Sequence, residues 1–346
     1  MAKGGSHLRA LAAAALGCCF LLQVLAVKAE YVSLLAAAKS VQVKTRLSDR
    51  FQIGRDLDTF GPLAFLGGLE LISADRNVGG LSGLLSLDSG NQILAVTDNG
   101  LWFAAEIKQS PDGTPLDVTN ARYTPMLNRE GKSLRAAWQH DTEAIAIDGD
   151  SLLVTAERAN DIFRFPWPLA TGKERMIEEL PVSSEIKALR SSKGLEALAM
   201  PPTGSRLQGT ALAIAERGPS GSDSIPAFLL KEGQQETLSV ARSDRYDVTD
   251  ATFLPTGDLL LLERRFNLRD LVGMRIRLIQ DADILPGARL EGQVLLEADY
   301  GYQIDNMEGI AIHEGPDGAT ILTLLSDNNR SLLQRTLLLR FKMDAL

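Results

Sequence analysis

The segment Thr142-Glu143-Ala144-Ile145-Ala146-Ile147, the turn Asp148-Gly149-Asp150 and the run Leu152-Leu153-Val154-Thr155-Ala156-Glu157-Arg158 read together as a β-hairpin. Two short apolar, β-branched stretches flank a Gly-containing turn, and the second ends in an acid followed by Arg. The same layout recurs. Leu195-Glu196-Ala197-Leu198-Ala199-Met200 leads through Pro202-Thr203-Gly204 to Ala211–Ala215 and Glu216-Arg217. Thr249-Asp250-Ala251-Thr252-Phe253-Leu254 leads through Pro255-Thr256-Gly257-Asp258 to Leu259–Leu262 and Glu263-Arg264. Met307-Glu308-Gly309-Ile310-Ala311-Ile312 leads through Pro316-Asp317-Gly318 to Ile321–Leu325 and Ser326-Asp327-Asn328. A weaker copy opens the series at Leu81-Ser82-Gly83-Leu84, with Asp98-Asn99 at its end and Ser82 where the others carry an acid.

The leading positions 82, 143, 196, 250 and 308 are spaced by 61, 53, 54 and 58 residues. That period suits a four-stranded blade with modest loops, slightly longer than common propeller repeats. Two further strands are readable in each of the first four repeats. The fifth has one, Thr336–Met343, and its missing outer strand is expected from Gly68-Leu69-Glu70-Leu71-Ile72. Such a join closes the ring and leaves no open sheet edge. The expected fold is an all-β propeller of five blades, with strand-like pieces in residues 34–66 leaving room for a degenerate sixth. An open β-solenoid is the alternative, but its coils are much shorter than this period.

The N-terminal residues differ in character. Lys3 and Arg9 precede an uncharged run, Leu11–Val27, that ends in Val27-Lys28-Ala29. This is the pattern of a secretory signal peptide over residues 1–29, followed by an N-terminal extension over 30–60 and the propeller domain over 61–346. A run of roughly 18 apolar residues could also serve as an uncleaved anchor, and Cys18 follows a poor lipobox. Both cysteines, Cys18 and Cys19, lie in this segment. A cysteine-free exported chain points to a periplasmic or secreted protein held by its core, its topology or a bound metal. The chain has 36 Lys and Arg against 44 Asp and Glu, a net charge of −8. Loss of Lys3, Arg9 and Lys28 with the leader makes it more acidic still. Nucleic acid is excluded as a partner, as is stable membrane insertion once the leader is cleaved, and a monomer is expected.

Repetition around an axis would gather Glu143, Glu196, Asp250 and Glu308 at one mouth of the central channel. So many carboxylates at close range need compensation. A hard cation such as Ca²⁺, which accepts six to eight oxygens in irregular geometry, would supply it. Backbone capping or interblade ion pairs would do so equally. The second acids, Asp98, Glu157, Glu216, Glu263 and Asp327, precede Asn99, Arg158, Arg217, Arg264 and Asn328. Arg158, Arg217 and Arg264 are therefore candidates to bind an anionic substrate, or to form interblade salt bridges. No His-Glu-x-x-His pattern, Walker loop or Gly-x-Ser-x-Gly elbow is present. Beyond residue 29 the only histidines are His140 and His313, so hydrolysis would need metal-activated water or a carboxylate base.

Gly79-Gly80-Leu81-Ser82-Gly83-Leu84 with Val96-Thr97-Asp98-Asn99-Gly100 resembles the opening of the phytase-like propeller family, known for esterase-like activity of phytase. Asp141-Thr142-Glu143-Ala144-Ile145, Lys193-Gly194-Leu195-Glu196-Ala197, Glu216-Arg217-Gly218 and Asn306-Met307-Glu308-Gly309-Ile310 fit the same pattern. The resemblance spans roughly residues 60–343. It implies an exported propeller acting on a small-molecule ester, as a phosphoester or carboxylester hydrolase. Glu-Gly-Ile-Ala on an inner strand also resembles calcium-dependent lactonases, and a non-catalytic calcium-stabilised binding propeller remains open.

Overall fold

The computed structural model describes residues 33–189, 193–267 and 271–344. The proposed leader, with Cys18 and Cys19, lies outside them. Among the described residues no helix is long and apolar enough to cross a membrane.

Five sheets follow one another along the chain, antiparallel except where the short Arg289–Leu290 pairs parallel with the outer strand of the third. Blade 1 runs Leu81–Leu87, Gln92–Thr97, Leu101–Gln109 and Pro115–Pro125 from the axis outward. Blade 2 comprises Thr142–Asp148, Ser151–Ala156, Asp161–Pro166 and the short Glu178–Glu179. Blade 3 comprises Leu195–Ala199, Ala211–Ala215, Ser224–Lys231 and Gln234–Ala241, and blade 4 comprises Asp247–Phe253, Leu259–Asn267, Leu271–Ile279 and Gln293–Ala298. Blade 5 uses Asn306–Glu314, Thr320–Asp327 and Thr336–Met343, then recruits Leu63–Ile72 as its fourth strand. Each inner strand packs against the next, and that of blade 5 packs against that of blade 1. The protein is a five-bladed β-propeller.

Among the described residues, those before the first repeat build no sixth blade. Lys39–Ser40 extends the outer edge of blade 1, while Lys44–Ser48 pairs with Leu63–Ile72 at the edge of blade 5. The closing strand follows from its composition. Leu63, Phe65, Leu69 and Leu71 are buried, while Glu70 on the other face pairs with Arg46. It lies antiparallel to the last strand, with Leu69 opposite Leu338. Phe51 locks this seam, its ring 4.9 Å from Phe341 and 5.0 Å from Tyr302. The inner and second strands of the blades are almost wholly apolar and buried because other strands cover both their faces.

Candidate active site

The pairing register of each blade decides which side chains enter the channel. In blade 3 Leu195 opposes Ala215 and Ala197 opposes Ile214, leaving Glu196 as an extra residue. In blade 5 Met307 opposes Ser326 and Gly309 opposes Leu325, leaving Glu308. Blade 2 has the same irregularity around Glu143, and blade 1 around Ser82. These are β-bulges, which re-aim a side chain and end regular pairing. All four side chains line one cavity of about 210 Å³ at the channel mouth.

Blade 4 corrects the alignment drawn from sequence. Val248 opposes Glu263 and Asp250 opposes Leu262, so the bulged residue is Thr249. Asp250 stands one position further along, and a one-residue slip turns a strand side chain to the opposite face. Its Oδ1 accepts the Ala251 N–H at 2.8 Å and its Oδ2 the Ile310 N–H at 2.9 Å, joining blades 4 and 5. It does not line the cavity. The second strand shows the same shift. Asp98, Glu157, Glu216 and Asp327 follow the residue that pairs beside the bulge, and in blade 4 that place belongs to Arg264. Glu263 turns away from the mouth and is fully buried. It accepts from Arg275 Nε and Arg277 Nη2, both at 2.7 Å.

The cavity is thus lined by eight acids, from Asp98 to Asp327, and two cations, Lys193 and Arg264. Ser82 Oγ donates to Glu143 at 2.8 Å, and Asn306 Nδ2 donates to Glu308 Oε1 at 2.6 Å. Arg264 donates to Glu308 and Asn306 through Nη1, and to Glu216 Oε1 at 3.1 Å through Nη2. Lys193 pairs with the other oxygen of Glu216. Glu157 accepts the Gly194 N–H at 3.1 Å, and Asp327 the Gly80 N–H at 2.6 Å.

Burial raises the Glu143 and Glu196 carboxyls well above the usual range, and neighbouring acids add to it. Burial pushes Glu308 up to about 7 despite Arg264, and pushes Glu157 to about 7 with help from the charges of Glu216 and Asp141. Asp327 rises to about 6 by burial, reinforced by Asp98. Arg264 stays charged: desolvation opposes its charge, but Glu308, Glu196 and Glu216 outweigh it. Glu196 Oε2 and Glu308 Oε2 are buried without a hydrogen-bond partner. Unpaired buried carboxylate oxygens in an all-oxygen donor set suit a hard cation. As the side chains stand, no three His, Cys, Asp or Glu among the described residues close on a point that could hold a metal.

Of the three arginines singled out by sequence, only Arg264 enters the cavity. Arg217 forms a fork with Asp247, with its Nε 2.7 Å from Oδ1, and sits on the rim of an adjoining cleft. Arg158 is half exposed and reaches Asp141 at 3.3 Å. Lys193, Asn306 and Arg330 escaped the sequence reading as site residues. Arg330 does not line the cavity but donates to both oxygens of its Asp98 at 2.6 Å. The available signal was position, since Lys193 and Asn306 sit at the entry to an inner strand. His140 does not line the cavity, and His313 lies elsewhere, bonded to Ser86.

No curated protein matches the chain. Among solved structures, a protein from Bacteroides uniformis assigned as a 6-phosphogluconolactonase aligns at 14% identity, covering 85% of this chain and 81% of its own, with a TM-score of 0.34. A chain of the nidogen–laminin complex aligns at 8% identity, covering 82% of this chain and 88% of its own, with a TM-score of 0.35. Glutaminyl cyclase of Myxococcus xanthus aligns at 11% identity, covering 89% of this chain and 100% of its own, with a TM-score of 0.39. At such scores the likeness decides neither fold nor function. The family model described as "Phytase-like: Esterase-like activity of phytase" matches residues 76–330, a span that holds every bulged inner-strand position and every acid of the mouth, and the chain belongs to that family.

Proposed function

We propose that this protein is an exported, metal-dependent ester hydrolase, acting on phosphoesters at the channel mouth. The observation that carries the reading is the pair of unpartnered, buried oxygens, Glu196 Oε2 and Glu308 Oε2, within a cavity whose acids outnumber its cations. Glu143, Glu196 and Glu308 would hold a divalent cation such as Ca²⁺. Asp250 is not among them, because both its oxygens serve backbone N–H groups. Bound there, a cation would supply Lewis-acid polarisation and make water more acidic.

The chain's own residues supply the rest. Lys193 and Arg264, the two cations of the cavity, would orient an anionic ester oxygen. Arg217 would guide the substrate from the rim. Glu157, held near 7, would accept a proton from water and return it to the leaving oxygen at neutral pH. A periplasmic or secreted location accords with the leader read from the sequence.

A second reading has its own support. Arg264 already bridges Glu216 of blade 3 and Glu308 of blade 5, so the same groups could serve only to hold blades together in a binding propeller. The two readings separate in one experiment. Purified protein is assayed against phosphate monoesters, carboxylesters and lactones, with Ca²⁺ and with chelator, alongside Glu143→Gln and Glu308→Gln. Turnover lost on chelation and in both variants supports the hydrolase, and the preferred ester distinguishes phosphoesterase from lactonase. Full metal occupancy in both variants would remove the site assignment. No turnover, with a melting temperature that falls on chelation, would leave the binding propeller.

A further inference from the structure

A cleft of about 710 Å³ opens directly from the acidic cavity and shares Lys193, Glu216, Arg264 and Asn329 with it. Its size falls in the range of small-molecule pockets. Its outer walls are apolar. Phe266, Leu271 and Val272 come from the second and third strands of blade 4, Tyr300 and Leu333 from loops. Phe266 is 76% exposed, Tyr300 64% and Leu333 93%. Large apolar side chains grouped at a mouth, rather than scattered singly, mark a recognition surface.

The charges of the cleft point the same way. Arg217 spends its fork on Asp247, Arg264 serves Glu216, Glu308 and Asn306, and Lys193 pairs with Glu216. Arg265 stacks on Tyr246 at 4.6 Å. Among the described residues that line the cleft, the cations Lys193, Arg217, Arg264 and Arg265 stand beside Glu216, Asp247 and Asp305, so four positive charges face three negative ones. That excess of one matches a single anionic group, whereas a polyanion would also meet these acids and the acidic cavity behind them.

We infer that the substrate is an ester with a single anionic group joined to an aryl or alkyl group, and that this cleft holds the apolar part. The inference rests on the hydrolase reading for the reacting end, but the cleft is tested by binding alone. Naphthylphosphonate, methylphosphonate and inositol hexakisphosphate are titrated calorimetrically into the full chain with Ca²⁺ present. The same titrations are run on Phe266→Ser and Leu333→Ser, whose exposed positions leave the core untouched. Naphthylphosphonate is expected to bind about tenfold or more tighter than methylphosphonate, from the buried ring area. Each variant should weaken naphthylphosphonate about fivefold and leave methylphosphonate unchanged. Naphthyl phosphate turnover is measured in parallel. If the binding pattern holds without turnover, the hydrolase reading falls and the cleft assignment stands. Naphthylphosphonate failing to bind, tighter binding of inositol hexakisphosphate, or variants that leave the naphthyl-to-methyl ratio unchanged would each overturn the inference.

Discussion

Replacing Arg264 with Met tests the electrostatics of the mouth most directly. The side chain is surrounded by Glu308, Glu216 and Asn306, and it is the only blade-4 residue standing where the other blades place an acid. Breaking a buried ion pair from one side costs about 3–5 kcal/mol, because a charge is left uncompensated. Here the loss depends on pH. The Glu308 carboxyl is raised from 4.5 to about 7 in the folded protein. Its protonated form therefore favours the fold, and that contribution is full below about 4.5 and lost as pH rises toward 7. In the variant the same carboxyl is pushed higher. Below about pH 6 Glu308 is protonated in both folded proteins and drops out of the comparison. Above 7 the wild-type group ionises beside Arg264 while the variant's holds its proton, so the gap widens by about 1.4 kcal/mol per pH unit. At about 2.1 cal/mol/K of unfolding entropy per residue, a domain of this size shifts by about 1.5 °C per kcal/mol, so each unit adds about 2 °C to the difference in melting temperature. Thermal melts at pH 5.5, 7 and 8.5 in chelator read this directly. A difference that stays constant or shrinks as pH rises would refute the reasoning.

Other outcomes are expected. Glu263→Gln leaves Arg275 and Arg277 without their buried acid and should cost about 3–5 kcal/mol in chemical denaturation, while any Ca²⁺ response stays intact because Glu263 lies away from the cavity. Gly83→Ala places a methyl 2.6 Å from the Ala144 Cα and 2.7 Å from the Glu143 carbonyl, so it should cost about 1–3 kcal/mol by the same measurement. Added Ca²⁺ should raise the melting temperature more at pH 8 than at pH 5.5, since Glu157 and Glu308 near 7 and Asp327 near 6 must lose protons first. That response should vanish in Glu196→Gln; its persistence there would count against a cation held by this residue.

The repeat and its closure were legible because each blade repeats an apolar hairpin at a near-constant spacing, and because the last repeat lacks a strand that Leu63–Ile72 can supply. Blade 4 was misread by one residue. Asp250-Ala251-Thr252 imitates the Glu-Ala-Ile and Glu-Gly-Ile of its neighbours, and Glu263-Arg264 imitates Glu216-Arg217. Sequence similarity cannot see a bulge, because the extra residue is defined by what lies opposite it. Position alone hinted at Lys193, and nothing at Arg330, because each meets its acid across a gap in the chain, from residue 193 to 216 and from residue 330 to 98.

The seam between Leu63–Ile72 and Thr336–Met343 also bears on how the molecule comes into being. Residue 69 is made long before its partner, residue 338. Blades 1 to 4 can each collapse as they emerge, but the ring has no closed form until the final strand arrives, and so distant a pairing is slow to find. The clasp therefore acts as a check on length. A chain that stops short of residue 336 leaves one edge of the apolar Leu63–Ile72 unpaired, open to proteases and to other chains. Closure of the whole ring thereby waits on the fifth blade.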